Sequence, residues 1–177
     1  MAPRELPVTI QSIGFVDTSL LTAWFTLRMR KDHMHEGVIE LRSLRDDQLE
    51  PEDCEVLKGW KSARAMLSRI RAGAAPFFSG VAPTLGRAWI ETLAPGEGTP
   101  WYAETGDYAE QYLRTRTCLI PAPGAATHCG SLTASLNVGI ITLVDHRLLC
   151  SEVNHGDHER VHLVVDVKPP VRDDAAD

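Results

Sequence analysis

Residues Cys150 to Val167 read "CSEVNHGDHERVHLVVDV", and the reading of this stretch decides the fold. In its second half Val161, Leu163, Val165 and Val167 alternate with His162, Val164 and Asp166. Successive side chains of a strand point to opposite faces, so one face here is wholly aliphatic and packs, while the other is mixed and can line a cavity. Arg160 stands where this strand begins. Its guanidinium can point into a barrel mouth and grip a carboxylate through two parallel hydrogen bonds, or lie at the surface and pair with Asp157 or Glu159. His155, His158 and His162 are spaced by three and four, as ligands on a helix would be, but the alternation from Val161 onward makes the segment a turn followed by a strand.

Working outward, "TCLIP" and "VGIITLV" are further short apolar runs bounded by turn residues, which suits a small antiparallel sheet system. The front of the chain reads differently. "DTSLLTAWFTLRMRKD" has candidate caps at Asp17 and Ser19 and places Leu21, Trp24, Phe25 and Leu27 at helical spacing. A second helix is expected where Val56, Trp60, Ala63, Leu67 and Ile70 recur by three and four, with Arg64, Arg69 and Arg71 toward its end and Gly73 as its stop. Between Ala74 and Trp101 the chain is rich in Pro and Gly, so turns are expected around a short element at "TLGRAWIETL". A third helix is expected over "GDYAEQYLR". His33 and His35 alternate as in a strand and could chelate a metal, but two solvated histidines before a turn are the commoner outcome.

With 177 residues and 44 % hydrophobic content, the chain suits a single domain with a real core. Residues 1–113 are expected to form a helical and loop-rich cover, 114–170 the strands, and 171–177 a loose polar tail. A formal net charge of −6 supplies no basic stripe for phosphates, which argues against nucleic acid and anionic membranes as partners and toward a small molecule. There is no apolar run of membrane-spanning length and no secretory leader pattern, so a cytoplasmic location is expected. Cys54, Cys118, Cys129 and Cys150 include no CxxC pair and are expected to be free thiols.

The segment "VDHRLLCSEVNHGDHERVHLVVDV" resembles the terminal part of the aspartyl/asparaginyl β-hydroxylase family, in particular its amino-acid hydroxylase branch. The family's pattern is matched by Asp145, Ser151, Asn154, Gly156, Asp157, Arg160, His162, Leu163 and Asp166. Upstream, "RTRTCLIPAPGAATHCG" resembles the family's strand, proline-glycine turn and first metal histidine, which places His128 as that histidine. The resemblance implies a mainly β fold with N-terminal helices, a double-stranded β-helix or cupin-like jelly-roll, with Fe(II) and 2-oxoglutarate as cofactors. It implies a metal held at positions 128 and 150, and a co-substrate held by Arg160 with Ser151, Asn154 and His162.

The departures from the pattern are specific. Cys150 stands where the second metal histidine belongs, and a soft thiolate is a poor neighbour for an oxidising iron. Gly130 replaces a carboxylate found in many relatives, and Gly139 occupies the polar position of a co-substrate strand. Only 21 residues separate His128 from Cys150, fewer than the family's usual spacing, so middle strands are expected to be shortened or missing. Two functions follow as expectations. One is a hydroxylase-like jelly-roll enzyme acting on an amino acid or natural-product intermediate, with an altered or lost iron site. The other is a metal-free jelly-roll that binds a small carboxylate-bearing ligand or a protein partner, with His128 available as acid or base because its ordinary pKa lies near neutrality. A homodimer is compatible with either.

Overall fold

The computed structural model describes residues 10–32, 38–43, 52–53 and 61–170. His33, His35, Cys54, Val56, Trp60 and the tail 171–177 lie outside the described residues. Among the described residues, ten strands form two antiparallel sheets. They are β1 (Ile10–Phe15), β2 (Val38–Ser43), β3 (Glu52–Asp53), β4 (Thr84–Leu93), β5 (Leu113–Ile120), β6 (Ala125–Cys129), β7 (Leu132–Ala134), β8 (Ile140–Val144), β9 (Cys150–Asn154) and β10 (Arg160–Lys168). The larger sheet runs β1-β8-β5-β10-β4-β2-β3 and the smaller runs β7-β6-β9. The stretch from Gly98 to Tyr102 lies along the free edge of β9, bridging to Val153 and Cys150. With that stretch as a fourth member, the smaller sheet faces β8, β5, β10 and β4, and the eight together close a double-stranded β-helix.

The alternation in β10 does what the sequence requires of it. Val161, Leu163, Val165 and Val167 are buried against Leu21 and Phe25 of helix α1 (Ser19–Asp32) and Met66, Leu67 and Ile70 of helix α2 (Lys61–Ala74). His162, Val164 and Asp166 point the other way, into the barrel. Asp17 caps α1 by accepting the Ser19 amide hydrogen bond at 3.0 Å, which also lowers its pKa. Arg71, in the last turn of α2, donates to the Pro83 carbonyl at 2.8 Å and ties the helix to the strand that follows.

Three expectations are corrected here. The sheet does not begin at residue 114, because β1, β2 and β4 belong to it, and "TLGRAWIETL" is a ten-residue strand hydrogen-bonded to both β10 and β2. The Pro and Gly residues on either side, which suggested a short element among turns, mark only its ends. The third helix, α3 (Asp107–Gln111), stops after five residues, because Leu113 and its successors are drawn into β5 beside β10. The middle strands are short, as expected, but present as β6, β7 and β8.

The glycines at two departures have backbone reasons. Gly139 has φ +75°, and a Cβ there would lie 2.6 Å from both the Phe15 ring and the Val16 carbonyl oxygen. Gly130 has φ +57° in the turn from β6 to β7.

Candidate functional site

The barrel interior is built from the inward faces of strands whose outward faces feed the core. Along β5 these are Arg114, Arg116 and Cys118; along β10, Arg160, His162 and Asp166; along β4, Arg87, Trp89 and Glu91. Strand β9 adds Glu152 and Asn154 from the opposite sheet.

The charges form two layers. In the first, Arg116 contacts Glu91 at 3.0 Å and Glu152 at 2.5 Å, and donates to the Tyr102 hydroxyl at 3.0 Å. Arg160 contacts Glu91 at 2.9 Å and also pairs with Glu152. In the second, Arg114 makes two hydrogen bonds to Asp166, at 2.9 and 3.1 Å, and reaches Glu104 at 2.7 Å, while Arg87 bridges the same two carboxylates. The Arg87 guanidinium lies 4.2 Å from the Tyr108 ring centroid, and that of Arg114 lies 4.7 Å from Trp89.

Burial opposes the charge on Arg87, Glu91, Glu104, Arg114 and Arg116, and their partners outweigh it. Burial raises Glu91, but Arg116 and Arg160 outweigh it and hold the carboxylate below its usual range. For Glu152 burial wins and the pKa is raised. Burial together with Arg160 and Arg116 keeps His162 well below its ordinary value, so it is neutral near pH 7. His146, at the end of the barrel nearest Glu104, falls to about 4 through burial and the nearby Arg114 charge, against the opposing pull of Asp166, Glu104 and Asp145.

The expected site residues are brought together only in part. On β6, Thr127 and Cys129 turn inward, which leaves His128 on the outer face, with Nδ1 2.8 Å from the Thr133 hydroxyl and its ring 6.0 Å from that of Trp101. The cavity-facing position expected for His128 is therefore not what the strand register gives. Cys150 is not a free thiol. It faces Cys129 directly across β6 and β9, and the two are joined in a disulfide, so its sulfur is not a thiolate ligand; Cys118 is free and buried. Ser151 pairs across the strands with His128 and shares its face of the sheet. Asn154 Nδ2 donates to the Leu93 and His158 carbonyls and its Oδ1 accepts from the Gly156 amide, so it organises the turn before β10. Arg160 and His162 lie inside the barrel, and the carboxylates that Arg160 holds belong to the protein.

Fe(II) does not fit these donors. Two histidine–carboxylate approaches exist inside the barrel, His146 to Glu104 at 3.9 Å and His162 to Glu152 at 3.8 Å, and each carboxylate already carries two arginines. Among the described residues no group of three or more His, Cys, Asp or Glu side chains is placed to hold a metal. Nor is Arg160 open to 2-oxoglutarate while Glu91 and Glu152 occupy it.

Glu91, Glu104, Arg114, Arg116, His146 and Glu152 join this interior without having been expected there. A signal for most of them is present: "RTRTC" sets Arg114 and Arg116 two apart, and "RAWIE" and "CSEVN" put Glu91 and Glu152 on alternate positions of a strand. Glu104 and His146 lie outside regular strands and gave no such signal.

A pocket of roughly 350 Å³ opens at the end of the barrel opposite His146. The turn 121–126 and the loop 135–137 wall it, Arg160, His162, Thr127 and Cys118 lie on its inner side, and His158 stands at its exposed rim.

No protein-family model matches the chain, and no curated protein matches it. Solved structures do share the fold. AviO1 from Streptomyces viridochromogenes Tue57 aligns with TM-score 0.63 and 13 % identity over 95 % of this chain and 93 % of its own. SnoN, described as a non-heme α-ketoglutarate-dependent epimerase from nogalamycin biosynthesis, aligns with TM-score 0.61 and 13 % identity over 90 % of this chain and 76 % of its own. A viral collagen prolyl hydroxylase from Paramecium bursaria Chlorella virus-1, in complex with 2-oxoglutarate, aligns with TM-score 0.53 and 11 % identity over 93 % of this chain and 98 % of its own.

Proposed function

We propose that this chain is a 2-oxoglutarate-oxygenase-like jelly-roll whose interior is rebuilt to work without iron, and that it binds a small carboxylate-bearing molecule of the kind handled in natural-product biosynthesis. The observation that carries this reading is the charge balance of the barrel. Arg87, Arg114, Arg116 and Arg160 are permanently positive, and Glu91, Glu104, Glu152 and Asp166 supply at most four negative charges against them. A divalent cation would enter with no anion left to neutralise it, which a buried site does not tolerate. The likeness to SnoN and AviO1 supports the oxygenase-like frame, and the description of SnoN supports the biosynthetic setting.

The competing reading is an oxygenase of the aspartyl/asparaginyl β-hydroxylase type acting on an amino acid. It is favoured by one observation: both ring nitrogens of buried His146 lack a protein hydrogen-bond partner, beside Glu104. Anaerobic titration with Fe(II), followed by an assay of 2-oxoglutarate decarboxylation, separates the two. We expect no stoichiometric iron and no succinate. One tightly bound iron per chain with coupled succinate release would overturn the metal-free reading.

A further inference from the structure

We propose that the Cys129–Cys150 pair is a redox-sensitive latch, which as a disulfide holds the His146 end of the barrel shut and as two thiols lets it loosen. Cys129 is the last residue of β6 and Cys150 the first of β9, and they stand directly opposite each other at the end of a ladder that runs back to Ala125 and Asn154. That ladder keeps the two side chains facing whether or not they are bonded, so the bond can break and re-form inside the folded chain. A place for the reduced state is built in. The two sulfurs lie 3.2 and 3.6 Å from the Asp145 carbonyl oxygen, which accepts the Leu148 amide at 3.1 Å and has a lone pair left for an S–H from either cysteine.

The step is thiol–disulfide exchange with a dithiol reductant. One thiolate of the reductant attacks a sulfur of the pair, and a mixed disulfide forms as the other sulfur leaves and takes up a proton. The second thiol of the reductant then closes its own disulfide and frees the remaining cysteine. The pair gains two electrons and two protons, and the reductant loses them; a disulfide oxidant reverses the exchange.

The neighbours carry the change to the barrel. Cys150 and Tyr102 exchange two backbone hydrogen bonds, at 2.8 and 2.9 Å, and the His146 carbonyl accepts the Glu104 amide at 2.9 Å. The stretch that bears Glu104 is thus fastened to β9 and the turn before it, and the disulfide fastens β9 to β6. Access to the pair is guarded. Both cysteines are buried, and the turn 145–149 lies against their sulfurs. Arg147 clamps that turn, its side chain donating two hydrogen bonds to the Asp145 carboxylate, both at 2.7 Å, and its amide a third at 3.2 Å. A reductant reaches the pair when this turn lifts.

The full chain, without denaturant, is equilibrated in mixtures of oxidised and reduced dithiothreitol. Peptide mapping is expected to find Cys129 and Cys150 bonded at the oxidising end and both free at the reducing end, with a reversible passage between the two and an unchanged far-ultraviolet circular dichroism spectrum. Reduction is expected to speed hydrogen exchange at the Tyr102, Glu104 and Cys150 amides about tenfold or more, while the amides of β10 stay protected over the same period. It is also expected to lower Tm by roughly 6–12 °C. Arg147→Ala should be reduced several-fold faster, and an unchanged rate would remove the turn from its guarding role. Cys129→Ser/Cys150→Ser should exchange as the reduced wild type does; should it fail to fold, the two wild-type forms decide by themselves. A pair that stays unbonded under oxidising conditions, one that reduces only in denaturant, or equal exchange at the three amides in both forms would overturn the latch.

Discussion

At the scale of single residues, the chain keeps ionisable groups where water cannot reach them, and His146 shows the consequence most directly. Burial and Arg114 hold its pKa at about 4, against an ordinary value of 6.5. The unfolded chain therefore takes up a proton between those values that the folded chain refuses. A group with a depressed folded pKa contributes stability that is complete above its unfolded pKa and is lost as pH falls toward the folded one. Stability should thus decline from about pH 6.5 to 4, at up to about 1.4 kcal/mol per pH unit for this residue. His162, also held low, adds to the same slope. Urea denaturation across that range measures it, and His146→Gln should flatten the curve; an unchanged slope in the variant would mean that His146 is not buried neutral. This residue also marks the limit of what the sequence can tell. "VDHRLL" carries no periodicity, and only the fold brings His146 within 3.9 Å of Glu104 from a distant loop. Arg160 and His162, in contrast, were legible, because a period-two pattern fixes which face a side chain takes even when its partner is unknown.

At the scale of elements, strand faces were legible and strand partners were not. The aliphatic row of β10 identified a packed face from four valine and leucine positions, and that face does meet α1 and α2. The same pattern could not place β4, because its ladder to β10 joins residues some seventy positions apart, and nothing local encodes that pairing. The upstream resemblance does not fix the face of His128, for a related reason. A strand, a turn and a histidine set a spacing but not a face, and β6 turns Thr127 and Cys129 inward in place of His128. Gly139 tests how tightly these elements are joined. Its amide donates to the Cys118 carbonyl, its own carbonyl accepts from the Val16 amide, and β1 passes directly over it. Gly139→Ala meets both an unfavourable φ and a backbone oxygen, whereas Gly80→Ala, at φ +83° with nothing within 4 Å, meets only the first. Gly80→Ala should cost about 1 kcal/mol and Gly139→Ala clearly more, with a larger fall in Tm. Equal losses would show that β1 gives way at little cost.

At the scale of the whole molecule, the fold and the interior have separate histories of constraint. The outer faces of the larger sheet need only be aliphatic to hold the helices, and they keep a jelly-roll in place whatever lines the barrel. The interior is then free to change its chemistry so long as its charges cancel, and four arginines against four carboxylates do cancel. A metal centre needs the opposite arrangement, unprotonated donors free to face one cation with no fixed positive charge beside them. The balance can be tipped at Arg87, the most exposed of the four, with 28 % of its side chain open to solvent. Arg87→Ala leaves Arg114 on Asp166 and releases one oxygen of Glu104 on the side facing His146. Removing a positive charge a few ångströms from an incoming divalent ion should raise its affinity by about tenfold or more, even with strong screening. Anaerobic Co(II) titration of both proteins, followed by the visible bands of the bound ion, gives the comparison. We expect weak binding in the wild type and tighter, His146-dependent binding in Arg87→Ala. Equal and tight binding by both would mean that the arginines do not govern the site, and that the charge balance of the barrel is no barrier to a metal.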